Sequence, residues 1–560
     1  MDSKLTRRSF VAGTAVAGAA CAAAVPVAAQ AQDGAAQVAT ADTKWSFEVA
    51  PDPIAEDQIA ETKSADVIVV GCGMSGMVTA VSAAEGGLSV IIVSASEAAV
   101  SRGGSNNAVY SKVMEEMGLP KVDADWYRTQ YMVNNGNFKP GFWYKHYNNS
   151  EEAMNWLIDK ATAAGLKVTV ESGAEYAPDD IMYTPAGAHS FYADDSELAG
   201  TVGTGEPHIA NELARLLTED LGVEIDFQTK ALQLVRGDDN ATGRVTAVIA
   251  QDKDGNYIKY EGAKAIVMAT GDFTHNRDMM ARFAPEVMGL CNFDSEVNYD
   301  AGLMTNGIYD GEGQQMELWA GAAWQQTPNA IMLGRPNLPA DNPYTSHTGL
   351  MVDKNGQRFM NEDVLGGVAC ATIMHLPENT CYCIWGSNRA AEGAPWGKPN
   401  YVHGEYFADE AEFIATWDND SYGYGIVKAD TVEELVAQLG LPEAAVDTVN
   451  HYNELCAAGQ DTDFYKSPEK LIGITDGPFY GCSYKPMLLV VLGGTRTNID
   501  LQALDANDEP IPGLFNVGTM IGDFYSGVYT FAMEGMNYGA TCITLPYLLG
   551  RDLAAGKFDE

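Results

Sequence analysis

The feature that most constrains this 560-residue chain is a strand, turn, helix and strand unit close to its N-terminal end. Residues 65–70, ADVIVV, are typical of a buried strand, and Gly71-Cys72-Gly73-Met74-Ser75-Gly76 of a tight turn. Residues 77–85 then have a helical pattern, and residues 88–93 form a second apolar run. In a GxGxxG turn at this place, the first glycine allows the turn and the second lets the backbone approach a pyrophosphate, while the third lets helix and strand pack together. The unit predicts a nucleotide-binding α/β domain, and a glycine turn without a nucleotide is the alternative.

One part of the usual nucleotide motif is missing. The second strand is followed by Ser94-Ala95-Ser96-Glu97, without an acid directly at its end. Such an acid normally binds the ribose hydroxyls. Ser94 and Glu97 are therefore the candidates for the ribose contact.

The first 31 residues are typical of a targeting segment. Thr6-Arg7-Arg8-Ser9-Phe10-Val11 is a twin-arginine pattern, and an Ala/Val/Gly-rich run leads from it to Ala29-Gln30-Ala31, which resembles a cleavage site. This pattern predicts a twin-arginine signal peptide at 1–31 and export to the periplasm or the exterior of the cell envelope. An ordinary cytoplasmic helix is one alternative, and Cys21 as a lipid-attachment site is another.

Composition limits the partners of the exported chain. Residues 32–64, rich in Ala, Gln, Asp, Thr and Pro, are predicted to be a linker. The formal charge is −42, or −44 without the net +2 of residues 1–31, which argues against nucleic acid and against a highly anionic substrate. The eight cysteines outside the signal peptide show no C-x-x-C, haem or cluster spacing. If the chain moves electrons, we expect a separate protein to supply them.

Further glycine-rich and strand-like segments follow along the chain. Ser101 to Ala108 reads SRGGSNNA, and such a segment can bring backbone N–H groups and small hydroxyls against a cofactor. The others are a predicted strand pair at 223–234, a strand and turn at 266–273, a second strand and turn at 511–518, and the start of a last helix at 534–539.

In order, VIVVGCGMSG, SRGGSNNA, AIVMATGDF, GEGQQMELWAGA, GQRFMNED and PIPGLFNVG resemble the FAD-dependent flavoprotein family of soluble fumarate reductases, urocanate reductases and 3-oxosteroid dehydrogenases. The resemblance implies a Rossmann-like, doubly wound α/β FAD-binding domain at 65–328 and 493–560. It also implies an inserted α+β capping domain at 329–492. The active site is then expected at the domain interface.

The resemblance further implies which residues hold FAD, with no metal. The glycine turn would cradle the pyrophosphate, the SRGGSN segment would run beside the flavin, and the C-terminal glycines would lie near its pyrimidine end. The implied residues are Gly71, Gly73, Ser75, Gly76, Ser94, Ser101, Gly103, Gly104, Ser105, Asn106, Ala231, Gly271, Asp272, Gly518, Gly535 and Asn537.

The chain departs from the fumarate reductases where they bind and protonate their substrate. Five residues after the asparagine of their R-F-V-N-E motif, an arginine donates the proton, and here that position is Gly366. Their His-His-Thr-Met-Gly-Gly segment corresponds to residues 489–494, LVVLGG, and their upstream Thr-Glu-x-x-Arg relay to residues 341–345, DNPYT. Val490 and Leu492 instead predict an apolar wall. A small dicarboxylate would lack charged partners there, so fumarate is not the expected substrate.

The expected reaction is therefore reduction of an activated C=C bond in a largely apolar substrate, such as an enone, a steroid-like molecule, a phenylpropenoid or a polyphenol. The candidates for the proton donor are Tyr525, Tyr529, Tyr344 and His347. Electrons are expected from a membrane quinol-linked cytochrome in anaerobic respiration. The alternatives are a 3-oxosteroid-type dehydrogenase that introduces a double bond and an FAD electron carrier without turnover.

Overall fold

The structure is a computed structural model that describes residues 44–134, 139–170, 184–193, 206–237, 240–300, 307–334, 349–392, 410–420, 423 and 425–559. Its strands are β1 (Ile59–Val70), β2 (Val90–Val93), β3 (Asn106–Asn107), β4 (Lys167–Val170), β5 (Ala188–Tyr192), β6 (Glu224–Asp226), β7 (Lys230–Arg236), β8 (Val245–Gln251), β9 (Tyr257–Met268), β10 (Ala330–Gly334), β11 (Leu350–Val352), β12 (Cys381–Gly386), β13 (Val427–Ala429), β14 (Phe479–Tyr484), β15 (Met487–Leu492), β16 (Gln502–Leu504) and β17 (Pro510–Asn516). Its α-helices are α1 (Met74–Glu85), α2 (Lys112–Glu116), α3 (Ala124–Asn134), α4 (Pro140–Ala163), α5 (Glu206–Arg215), α6 (Arg277–Phe283), α7 (Glu312–Trp319), α8 (Gly366–Ile373), α9 (Arg389–Glu392), α10 (Glu410–Asp418), α11 (Val432–Gln438), α12 (Ala444–Ala458) and α13 (Leu545–Ala554).

The predicted βαβ unit forms the centre of an eight-stranded sheet. Its main path runs β16-β17-β9-β1-β2-β6, and β7 and β8 continue from β9. Along the stretch β17-β9-β1-β2-β6 each strand is parallel to the next, whereas β16 is antiparallel to β17 and β8 is antiparallel to β9. Val67 and Val69 belong to the core on one face of the sheet, and Ile68 and Val70 to the core on the other. Burial on both faces explains the uninterrupted apolar run of β1 and confirms the predicted α/β fold class.

The predicted linker ends earlier than residue 64, which is a correction. β1 begins at Ile59, and Ile59 to Ala65 pair with β9 from Tyr257 onward. The Phe47 side chain is buried, and its ring centroid lies 5.5 Å from that of Phe283. The first half of β1 keeps most of its side chains half-buried or exposed, so its composition resembles a linker although its backbone is paired.

A second, four-stranded antiparallel sheet has the order β11-β12-β14-β13, and α11 and α12 pack against it. It lies within the predicted capping segment. β10 precedes the strands of this second sheet in the chain and β15 follows them. These two strands form an antiparallel pair. The division of the chain into an FAD-binding domain and a cap at 329–492 stays a prediction.

The Arg358 to Glu362 motif forms a buried ion cluster under this second sheet. Arg358 Nη2 lies 2.7 Å from Glu362 and 2.8 Å from Asp461, and Lys466 Nζ lies 3.4 Å from Glu362. A buried carboxylate needs such partners. Glu362 therefore has a structural role here.

In the ranges that the structure describes, no helix has both the length and the apolar character needed to cross a membrane.

Candidate active site

A cavity of about 620 Å³ opens where β1 and β9 end. This is where open α/β sheets usually bind their ligands. Many of the residues predicted to hold the cofactor line it, namely Gly71, Gly73, Ser75, Ser94, Gly103, Gly104, Ser105, Ala231, Gly271, Gly518, Gly535 and Asn537.

Four residues predicted to hold the cofactor lie behind the lining. A Cβ on Gly76 would lie 2.2 Å from the Gly71 oxygen, so this glycine serves helix packing. Ser101 shares a hydrogen bond of 2.8 Å with the Tyr538 hydroxyl, and Asn106 Nδ2 donates to the His189 oxygen at 3.0 Å. Asp272 is fully buried beneath the cavity. In this structure these residues support the lining without forming it.

The glycine turn, residues 71–76, offers backbone where a cofactor would lie. Gly71 has φ +112, and a Cβ there would lie 2.4 Å from the Ala269 oxygen. A Cβ on Gly73 would meet nothing within 4 Å and would project into the cavity. Gly73 is also the N-cap of α1, so the positive end of the helix dipole faces the same space. These features fit the pyrophosphate of FAD.

At the end of β2, two serine hydroxyls stand where an acid is usual. Ser94 and Ser96 line the cavity, and their Oγ atoms lie 2.7 Å apart. Glu97 is exposed, does not line the cavity and accepts a hydrogen bond from Gln228 Nε2 at 2.8 Å. Of the two candidates for the ribose contact, the placement favours Ser94.

Arg102 is a cavity residue that the sequence analysis missed. Its guanidinium carbon lies 4.9 Å from the centroid of the Tyr309 ring, and its Nη1 lies 3.9 Å from Asp272 Oδ2. Arg102 Nε and Asp272 Oδ2 are buried and have no hydrogen-bond partner among the described residues. Burial raises the pKa of Asp272, and the charge of Arg102 opposes that rise. A half-buried guanidinium whose Nε donor is unfilled suits an anionic phosphate.

An apolar wall, defined by Met332, Met487, Leu489 and Val490, closes another side of the cavity. In the β10–β15 pair, Met332 lies opposite Val490 and Leu333 opposite Leu488, so Leu489 is an extra, bulged residue. A bulge of this kind redirects side chains beside a binding site. Leu492, predicted to be part of the wall, is buried and does not line the cavity, which is a correction.

Tyr529 is the predicted proton donor that faces the cavity. Its hydroxyl oxygen accepts a hydrogen bond of 3.1 Å from the backbone N–H of Asn537. Because the oxygen is held as an acceptor, the hydroxyl proton is free to point elsewhere. Burial raises the pKa of Tyr529 above the usual value, so the group is protonated at neutral pH.

The other predicted donors are placed differently. Tyr525 is buried behind Tyr529, with the ring centroids 5.3 Å apart, and it does not line the cavity. Its hydroxyl has no hydrogen-bond partner among the described residues, so the placement does not support the prediction that Tyr525 donates a proton. Tyr344 and His347 lie outside the described residues.

Gly366, at the position where the fumarate reductases have their proton-donating arginine, begins α8, and Gly367 follows it. A Cβ on Gly367 would lie 2.3 Å from the backbone oxygen of Tyr529. Only glycine lets α8 approach the Tyr529 segment this closely. The glycines at the start of α8 therefore let this helix support the backbone that carries Tyr529.

Comparisons with known proteins agree with this geometry. A family model described as an FAD binding domain matches residues 66–534. The vinyl phenol reductase of Lactiplantibacillus plantarum is 26% identical over 523 residues, covering 88% of this chain and 96% of that protein. The digoxin reductase of Eggerthella lenta is 26% identical, covering 86% and 85% respectively. Among solved structures, the 3-ketosteroid-Δ4-(5α)-dehydrogenase of Rhodococcus jostii RHA1 has a TM-score of 0.64 at 21% identity, covering 90% of this chain and 99% of that one.

Proposed function

Because the chain belongs to this family of FAD-binding proteins, we propose that it is an exported ene-reductase that reduces an activated C=C bond of a largely apolar substrate. FAD is its cofactor. The observation that carries the proposal is Tyr529, which lines a cavity bounded by the glycine turn and by the apolar wall and whose hydroxyl is held by the Asn537 N–H.

Held at the glycine turn, FAD would supply a hydride for one carbon of the double bond. The protein must then deliver a proton to the neighbouring carbon. Tyr529 suits this step because its oxygen is anchored by the Asn537 N–H, and the same N–H stabilises the phenolate that remains.

The substrate class follows from the charges around the cavity. Among the described residues, the cations of the lining are Arg102 and Lys230, and they pair with Asp272 and Glu312. The apolar wall carries none. A dicarboxylate would lose its hydration there without gaining charged partners, whereas a phenylpropenoid, an enone or a steroid-like ring would bury apolar surface. The vinyl phenol and digoxin reductases among the relatives support substrates of this kind.

The electron donor and the export route belong to the same proposal. The twin-arginine pattern of residues 6–11 supports export of a folded, FAD-loaded protein. Outside the cytoplasm, electrons would come from a membrane quinol-linked cytochrome.

An anaerobic reoxidation screen tests the proposal. The purified FAD protein is reduced with dithionite and mixed with fumarate, urocanate, vinyl phenol, cinnamate and an unsaturated 3-oxosteroid, and flavin absorbance is followed. We expect rapid reoxidation by at least one of the three largely apolar acceptors and none by fumarate. Reoxidation by fumarate alone would contradict the substrate class. Failure with every acceptor except small redox mediators would favour an electron carrier.

A further inference from the structure

Phe531 is an aromatic residue of the cavity lining that the proposed reaction has not yet used. It is buried, and its ring centroid lies 4.8 Å from that of Tyr529, with the two ring planes 85° apart. Aromatic rings favour such edge-to-face contacts, in which the positive edge of one ring meets the negative face of the other. Both members of the pair line the cavity, so a ligand there meets aromatic side chains next to the proposed proton donor.

The backbone at Phe531 has an unusual conformation. Its φ is +62, in the left-handed region that a bulky side chain rarely adopts. Just after it, the Ala532 N–H donates to the Thr530 hydroxyl oxygen at 3.4 Å. Glycine adopts such a turn without strain, whereas strained residues are concentrated at binding and catalytic sites. The turn therefore points to a role for the Phe531 ring in the cavity.

The segment before Phe531 is anchored beside the apolar wall. The Tyr529 N–H donates to the Ile331 oxygen at 3.0 Å, and the Ile331 N–H donates to the Gly527 oxygen at 2.8 Å. Ile331 directly precedes Met332, which belongs to the wall. These two hydrogen bonds hold the segment against β10, so Tyr529 lies next to the start of the wall.

The side chains of this region favour a planar aryl group. Thioethers make favourable contacts with aromatic rings, and the wall contributes those of Met332 and Met487. The pair of Tyr529 and Phe531 offers ring contacts in addition. A saturated ring would bury a similar apolar surface but would gain neither kind of contact. An aromatic ring is therefore the better ligand for this part of the cavity.

We propose that Phe531 is a specificity residue, which binds the aryl group of a substrate whose reducible C=C bond is conjugated with that group. This inference rests on the proposed function, because it takes reduction of an activated C=C bond as the reaction. It narrows the substrate class from apolar acceptors in general to aryl alkenes such as phenylpropenoids. Because the Phe531 and Tyr529 rings are in contact, an aryl group bound at Phe531 brings the conjugated bond close to the proton donor.

The experiment compares two acceptors that differ in one ring. Benzalacetone and its cyclohexyl analogue are neutral and share the same enone, but only benzalacetone has an aromatic ring. Values of kcat/KM are measured anaerobically for both, in the wild type and in Phe531→Leu, with reduced methyl viologen as electron donor. The intrinsic reactivities of the two enones cancel when their kcat/KM ratio is compared between proteins. We expect the ratio of benzalacetone to its analogue to fall about 3- to 10-fold in Phe531→Leu, mainly through KM.

Three further variants make the comparison specific. Phe531→Tyr keeps an aromatic ring and should keep the wild-type ratio. Phe531→Gly removes the ring but suits φ +62, so it should fold and bind FAD even if the leucine variant does not, and its ratio should also fall. Phe524→Leu changes a buried ring that does not line the cavity. It should lower the melting temperature and leave the ratio unchanged.

Binding of the saturated products separates recognition from chemistry. Benzylacetone, the product of benzalacetone reduction, is titrated into the oxidised, FAD-loaded protein, and the change in flavin absorbance gives its Kd. We expect this Kd to rise about 3- to 10-fold in Phe531→Leu. The Kd of the cyclohexyl product should stay the same.

The possible failures can be told apart. An unchanged ratio in both Phe531→Leu and Phe531→Gly would show that the ring does not contact the aryl group. Weaker FAD binding in these two variants would show that the ring packs on the cofactor instead. Reduction of the unsaturated 3-oxosteroid but of no aryl acceptor would overturn the inference and leave the proposed function intact. Failure with every acceptor would overturn the proposed function, and this inference with it.

Discussion

The two sides of the cavity differ in what they offer a ligand. Around the glycine turn the lining is mainly backbone, with Gly71 and Gly73 exposing peptide groups and the first turn of α1. Around the β10–β15 pair the lining is apolar side chain, with Leu489 turned by a bulge. Backbone contacts suit a cofactor that is the same throughout a family, whereas side chains can change with the substrate. The difference explains how a shared cofactor site can accompany an altered substrate site.

Blocking the side of the cavity that is formed by the glycine turn should have the largest effect on FAD binding. In Gly73→Val the new side chain would project into the open part of the cavity, because nothing lies within 4 Å of that Cβ position. We expect FAD affinity to fall by at least about 1,000-fold, with the thermal stability of the apoprotein unchanged. Fluorescence titration of the apoprotein with FAD measures the affinity, and thermal unfolding followed by circular dichroism measures the stability. Gly289→Val, at an exposed site outside the lining, should bind FAD normally. Tight FAD binding by Gly73→Val would remove the basis for calling this side the cofactor site.

Removing the donor should affect chemistry without affecting the cofactor. Tyr529→Phe deletes the hydroxyl that Asn537 holds, and we expect kcat to fall about 100-fold with FAD content unchanged. Tyr525→Phe is the matched control, since its ring packs behind Tyr529 and its hydroxyl does not reach the cavity. It should stay within about three-fold of wild type. Comparable losses of kcat in both variants would mean that the two tyrosines act together through packing. Tyr529 would then not be the proton donor.

The same two sides differ in how far sequence alone predicts them. The glycine turn is contiguous, so the order of residues along the chain is enough to predict its strand, turn and helix. Arg102 was missed because its partners Asp272 and Tyr309 lie about 170 and 207 positions further along the chain, and only the fold brings them together. Leu489 was missed because strand alternation places it on the face opposite Val490, and the bulge between Leu488 and Val490 breaks that alternation. Contacts that follow from neighbouring positions in the chain can be predicted from sequence. Contacts that depend on a bulge or on segments far apart in the chain cannot.

Removing the charge of Arg102 tests whether the glycine-turn side of the cavity binds the phosphates of FAD. Arg102→Met keeps much of the side-chain length but removes the half-buried guanidinium. One charge-assisted hydrogen bond contributes about 1.5–3 kcal/mol, so we expect FAD to bind roughly 10- to 100-fold more weakly. Riboflavin lacks phosphates and should bind both proteins equally in the same titration. An equal loss for riboflavin would show that Arg102 acts through packing on Tyr309 and not through the pyrophosphate.

The smallest effect is expected at the apolar wall. Leu489→Ala removes part of the half-buried side chain that the bulge directs at the cavity. At about 0.8 kcal/mol for each buried methylene, we expect the KM for an apolar acceptor to rise roughly three- to ten-fold, with kcat and FAD content little changed. Leu492→Ala is the control, because its side chain is buried and does not line the cavity. It should lower the melting temperature and leave KM alone. If instead Leu492→Ala raises KM while Leu489→Ala does not, the bulge does not direct Leu489 toward the substrate, and simple alternation along β15 describes the wall better.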